Sequence, residues 1–307
     1  MTAGAYADTM ETEGEVRSVE YEGRICRAPM ERGAYMLPVA VGCSYNACRF
    51  CTLFRHLRWR ELPGEQIEKE LQRVKQAGGA PRRVFLGDGN AFDLPAGRLL
   101  EILEMLRRWF PSVEGVNMDA TVTGVAQKTD EELAALRRAG VECLYLGIES
   151  GLEDVLRFMN KDHTLEQAHG QIGRLRRLGY DYAAHIMTGV AGRGRGQENA
   201  RALAEFLNRT KPRSVTNFSI FLHESAPLWQ DIAQGRFAPA DELENLLEER
   251  RLLELLEVDS LVYDGLHDMV EVRVRGRLPR DREAMLSQLD SAAARLRRLP
   301  PVYAFVK

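Results

Sequence analysis

Gly42-Cys43-Ser44-Tyr45-Asn46-Ala47-Cys48-Arg49-Phe50-Cys51-Thr52-Leu53-Phe54 gathers three of the five cysteines of this 307-residue chain into one short stretch. Three thiolates on one loop can hold three corners of a four-iron, four-sulfur cube and leave the fourth iron open to a small molecule. Two other uses of the thiols compete. A disulfide suits neither a chain long enough to bury its own core nor an N-terminus without a secretory apolar stretch. Zinc is the stronger rival, because His56 follows Cys51 closely enough to complete a Cys3His tetrahedron. Against zinc, no second cysteine pair exists, since Cys26 and Cys143 stand alone.

With 45% hydrophobic residues, 28% charged residues and a formal net charge of −3, the composition is that of one large globular domain, without the basic excess that would point to nucleic acid. The longest apolar run, Tyr35 to Val41, is about half of what a bilayer span needs, and the acidic start is no export signal. No membrane association and a cytoplasmic location are therefore expected. Residues 1–18 are small and acidic without periodicity, and read as a mobile N-terminal segment.

From Tyr35 onward, short apolar runs alternate with amphipathic helical patterns, the mark of a parallel sheet wrapped by crossover helices. The strands read as Tyr35 to Val41, Arg83 to Leu86, Gly115 to Ala120, Cys143 to Ile148, Tyr182 to Thr188 and Ser214 to Phe221. Thr129 with Glu132, and Thr164 with Gln167, are capping boxes that open helices closing at Gly140 and Gly179. A further helix spans Asp241 to Val258. Six such units predict an α/β fold, a partial (β/α)6 TIM-like barrel over residues 19–258, with its chemistry at the strand C-termini. The cysteine loop meets that condition, because it follows the first strand. Beyond Ser260, two short strands (Leu261 to Tyr263, Val270 to Val274) and a helix (Pro279 to Arg297) read as a C-terminal cap, 259–307, packed on the barrel.

The loop resembles that of the radical S-adenosylmethionine (SAM) enzymes. Its spacing of four and then two residues between cysteines, with Asn46 and Phe50, is similar to a bacterial subgroup that carries Gly-Cys-x-x-Asn-x-Cys-x-Phe-Cys. Arg27-Ala28-Pro29-Met30-Glu31 and Arg275-Gly276-Arg277-Leu278-Pro279-Arg280-Asp281 are similar to two further subgroup stretches, so the resemblance runs from about residue 21 to 298. It implies that Cys43, Cys48 and Cys51 ligate a [4Fe-4S] cluster and that Phe50 packs beside the adenine of SAM. Gly87-Asp88-Gly89-Asn90 aligns with the family segment that receives the SAM amino group, with Asn90 in the place of its glutamate. Gly147 to Lys161 is similar to the oxygen-independent coproporphyrinogen III oxidases. On that alignment Glu149 and Lys161 contact SAM, Lys161 at its carboxylate, and His185 takes the ribose position. Gly189 to Gly192 lets backbone approach the adenine. Arg193 and Arg195, flanking Gly194, are candidates to clamp an anionic substrate.

What the resemblance implies is an enzyme of unassigned substrate. Reduced by a flavodoxin- or ferredoxin-type donor, it cleaves SAM to a 5′-deoxyadenosyl radical and abstracts hydrogen from a small molecule. The spare cysteines are too few for a conventional auxiliary cluster, and no stretch reads as a cobalamin domain. Two alternatives stay open: noncanonical SAM cleavage with aminocarboxypropyl transfer, and a non-catalytic haem- or metal-handling protein.

Overall fold

The computed structural model describes residues 27–307; the segment read as a mobile lead-in, and Cys26, lie outside the described residues. One sheet organises the chain. Its strands follow sequence order: β1 (Tyr35–Pro38), β2 (Arg83–Gly87), β3 (Gly115–Ala120), β4 (Val141–Glu149), β5 (Asp181–Thr188), β6 (Ser214–Ser219), β7 (Val262–His267) and β8 (Val272–Arg277). Neighbours from β1 to β7 pair in parallel, and β8 returns antiparallel to β7. The helices α1 (Gly64–Gln76), α2 (Ala96–Trp109), α3 (Asp130–Arg138), α4 (Leu165–Arg177), α5 (Gly196–Thr210), α6 (Glu242–Leu255) and α7 (Arg282–Leu296) complete it. Both capping boxes form, Thr129 with Glu132 on α3 and Thr164 with Gln167 on α4, each worth about 1 kcal/mol.

This is the expected α/β partial barrel, with one more parallel strand than the six read from sequence. The segment after 258 does not merely cover the barrel: Val262–His267 pairs with β6 and continues the sheet. The reason it escapes notice is physical. Asp264, Gly265 and His267 interrupt the apolar run, yet each is buried or closely packed; a β-carbon on Gly265 would stand 1.7 Å from Glu249 Oε1.

Alternation along each strand sorts the side chains. Val116, Met118, Leu144, Leu146, Ala184 and Ile186 face outward into one continuous apolar core with the helices. The opposite residues face the lumen. At the strand N-termini the lumen is closed by a small cluster of Ala28, Ala34, Phe85, Cys143, Tyr145 and Ala183. The turn Pro29–Glu31 supplies its one acid: buried Glu31 accepts from Asn117 Nδ2 at 2.6 Å and from the Tyr145 hydroxyl at 2.7 Å. That explains the Arg27 to Glu31 stretch as the floor of the barrel.

The outer face also holds a polar seam beneath α6. Glu242, Glu248 and Glu249 are buried there with His267. His267 Nε2 lies 2.9 Å from Glu249 and its Nδ1 lies 2.6 Å from the Ser219 hydroxyl. Glu248 accepts from the Gly189 amide at 2.9 Å and from Asn199 Nδ2 at 2.7 Å.

Candidate functional site

The cysteine loop begins at Gly42, directly after a short ladder of Ala40–Val41 with Arg60–Glu61; the φ of Gly42, +83°, is open to glycine, and the loop turns again at Asn46, φ +43°. Asn46 stabilises the second turn by donating from Nδ2 to the Phe54 carbonyl at 2.9 Å. Distant chain then frames the loop. The Arg49 amide donates to Met159 O at 2.9 Å, the Tyr45 hydroxyl to Asn160 O at 2.7 Å, and the Arg49 guanidinium to buried Asp231 at 2.9 Å. Arg55 donates to the carbonyls of Cys48 and Cys51. The loop is thus held by backbone and side chains, leaving Cys43, Cys48 and Cys51 as free, half-buried thiols.

Among the described residues, no three His, Cys, Asp or Glu side chains converge on one metal ion. His56, five residues beyond Cys51, is exposed. Burial pushes the Cys48 thiol up to about 11, with Lys161 pulling the other way.

Lys161 lies in the next layer. Its Nζ is 3.2 Å from Glu149 Oε1 and 3.8 Å from Asp162, with all three side chains buried. Burial alone would lower its pKa, but Glu149, Cys48 and Asp162 outweigh that and hold it above the usual lysine range. Glu149 closes β4 with φ +61°, after a register shift between Gly147 and Glu149. The pair predicted as SAM contacts therefore forms a buried ion pair beside the thiols.

Asn90 is committed differently. Its Oδ1 accepts from the Ser44 amide at 3.0 Å, and its Nδ2 donates to Ser44 Oγ and to Asp93, both at 2.8 Å. It ties the segment after β2 to the cysteine loop. Asp93, which sequence reasoning passed over, also accepts from the Ser44 and Thr121 hydroxyls.

Phe50 is 8% exposed and sits in an apolar cluster with Val190 and Ala191, against which Cys48, Cys51 and Met187 pack. Gly189 has φ +80°, and its carbonyl accepts from Gly192 N–H at 3.0 Å, so the stretch turns tightly beside Phe50. His185 projects from β5 into the lumen, edge-on to Tyr145 and Phe218 at 5.6 and 6.2 Å between ring centres. Its Nε2 is buried without a hydrogen-bond partner among the described residues. Burial, then Lys161, pushes its pKa down to about 4, so the ring is neutral. The arginine clamp is not formed: Arg195 pairs with Asp154 and Glu198, and Arg193 donates to the Tyr303 hydroxyl at 2.8 Å.

Comparison with known proteins matches residues 37–207 to the radical SAM superfamily. This chain belongs to that superfamily. As a radical SAM protein it is an enzyme, and its cofactors are a [4Fe-4S] cluster and SAM. The donor set fits both: three free thiols on one loop for the cube, and the buried cation Lys161 acting on Cys48 beside them. Among curated proteins, a tRNA-2-methylthio-N(6)-dimethylallyladenosine synthase of Anaeromyxobacter sp. (strain Fw109-5) is 27% identical over 274 residues, covering 82% of this radical SAM chain and 57% of the synthase. This chain thus spans little more than half of that relative. Elp3 of Methanocaldococcus infernus superposes with a TM-score of 0.56 at 13% identity, over 84% of this chain and 63% of Elp3. Coproporphyrinogen III oxidase (HemN) from Escherichia coli superposes at 0.54 with 14% identity, over 72% and 52%. At such identities the likeness is one of radical SAM fold.

Proposed function

We propose that this radical SAM enzyme cleaves SAM reductively, giving methionine and a 5′-deoxyadenosyl radical that abstracts hydrogen from a small molecule in the barrel lumen. The observation that carries the reading is the apolar cluster that joins Phe50 and the Val190–Ala191 backbone to Cys48 and Cys51. An adenine held there fixes the ribose over the lumen, where orientation counts most for reaction. The chain's own residues divide the remaining work. Lys161 faces the SAM carboxylate, Glu149 sets the lysine's position, and Asn90 fixes the loop while its neighbours receive the amino group. The neutral His185 bonds a ribose hydroxyl, and Gly189 lets the backbone close on the ring. The floor at Glu31 and Tyr145 keeps bulk water from the opposite end.

The electron enters from a flavodoxin- or ferredoxin-type partner. Arg55, His56 and Arg58 are exposed just beyond Cys51, a basic edge that suits an acidic redox protein. Anaerobic reconstitution, reduction and chromatography test the reading. Reductant-dependent 5′-deoxyadenosine with methionine supports it, whereas methylthioadenosine in their place assigns the protein to aminocarboxypropyl transfer.

A further inference from the structure

β4 and β5 stay paired only as far as Glu149 and Ile186. Beyond that pair their chains carry the two ends of the proposed SAM site. Ser150 and Gly151 follow Glu149, which holds Lys161, while Gly189 opens the turn that brings Val190 and Ala191 beside Phe50. With the ladder ended, the amides of Gly151 and Gly189 both find their acceptors in one buried relay. Glu248 Oε2 accepts from the Gly189 amide at 2.9 Å, and its Oε1 accepts from Asn199 Nδ2 at 2.7 Å. Asn199 Oδ1 accepts in turn from the Gly151 amide at 3.1 Å and from the Ser150 hydroxyl at 2.6 Å. Glu248 is 1% exposed, and Asn199 and Ser150 are fully buried.

Stability alone does not account for this arrangement. Desolvation opposes the bonds of a buried carboxylate, and well-packed apolar side chains of similar volume serve a core as well. What the relay adds is direction. A backbone N–H stands at each end and needs an acceptor, so one of the two linking side chains must be acceptor-only, and Glu248 is. The helix that carries Asn199 is pressed on the same junction: a β-carbon on Gly151 would stand 2.3 Å from the Ala202 carbonyl carbon of α5. The turn at Ser150 and Gly151 therefore moves with α5, and α5 is bonded through Asn199 to α6 and the Gly189 turn.

We propose that Glu248 and Asn199 are positioning residues, whose relay fixes the distance between the adenine end of the SAM site at Gly189 and its amino-acid end at Glu149 and Lys161. This rests on the proposed function, which places SAM between those ends, and adds two residues outside the site that hold it in shape. Occupying one end stabilises the geometry that the other end needs, and by reciprocity the reverse holds. The relay also has a chemical signature. Glu248→Gln leaves one backbone amide without an acceptor whichever way the two side-chain amides turn: Gly189 if the Gln oxygen faces Asn199, Gly151 if Asn199 turns to meet the Gln nitrogen. Asn199→Asp sets two carboxylates face to face. The double variant Glu248→Gln/Asn199→Asp reverses the relay and gives every member a partner.

The test is anaerobic equilibrium binding of SAM to the cluster-loaded protein at pH 8, above the value of about 7 to which burial raises Glu248. Each single variant should bind SAM about tenfold or more weakly at full iron content, and the double variant should return to within about threefold of wild type. Single variants that bind SAM as wild type does, with only their urea midpoints lowered, overturn the proposal, and so does a double variant no better than the singles. Should a single variant not fold, amide exchange of the wild-type protein decides. L-methionine alone should slow exchange in residues 187–192, and 5′-deoxyadenosine alone should slow it in residues 149–152. Protection confined to the near end, or none, overturns the relay. Release of 5′-deoxyadenosine is measured in parallel. SAM cleavage with unaltered affinity in the single variants sinks the relay only; weakened binding rescued in the double variant, with methylthioadenosine as the product, sinks the proposed function only.

Discussion

The α-carbon of Gly89 lies against the carbonyl of Gly42, so close that a β-carbon on Gly89 would stand 1.8 Å from that oxygen. Two loops from different strands meet there through bare backbone, and Asn90 ties the same junction to Ser44. Gly89→Ala must separate them, and at φ +69° the alanine is strained as well, by about 1–2 kcal/mol. The expected outcome is loss of at least half the iron after reconstitution with the global fold retained. Full iron loading, read by iron analysis and circular dichroism, would contradict the contact.

Cys43→Ala, Cys48→Ala and Cys51→Ala should each abolish cluster assembly, while Cys26→Ala and Cys143→Ala should not. Cys143 is buried within the floor cluster, where desolvation pushes its thiol up to about 12 and keeps it inert. About four irons per wild-type chain are expected. Full loading of the Cys48 variant would undo the ligand assignment.

The Lys161–Glu149 pair separates two roles. Lys161→Met leaves Glu149 and Asp162 buried without their cation, at a cost of about 3–5 kcal/mol. Adding Glu149→Gln should recover part of that in a urea titration, whereas SAM affinity should stay weak in both variants. Asn90→Ala should instead lower iron retention, because its amide braces Ser44. SAM affinity unchanged by Lys161→Met would refute the carboxylate role.

Stability should fall as pH rises. Burial opposes charging of His267, but Glu249 and Glu242 prevail and raise it to about 9. Its contribution is complete below about 6.5, the unfolded value, and is lost as pH climbs through about 9. Burial raises Glu248 to about 7 and Asp119 to about 8, so the folded state also holds protons that the unfolded chain has shed, and both act in the same direction. Urea midpoints measured from pH 6 to 9 should decline, with His267→Gln flattening the decline above 6.5. A rising midpoint would count against the charged imidazole.

What sequence could tell depended on whether a signal is local. Parallel strands buried on both faces announce themselves as apolar runs, and the Thr129 and Thr164 caps need only their own first turn. The three thiols were legible for the same reason. β7 was not read as part of the sheet, because its buried Asp264 and His267 are satisfied by Arg273, Ser219 and two glutamates that only the fold brings near. Asn90 likewise matched a family position, yet its partners in the structure are Ser44, across a loop, and Asp93.

The frame around the cysteine loop has a consequence for biogenesis. Asn90 reaches it across 46 residues of sequence, Asn160 across 115, and Asp231 across 182. A nascent chain that has emerged only through Cys51 owns all three thiols but none of the struts that aim them. The frame that aims the thiols is therefore complete only once the chain has folded as far as Asp231.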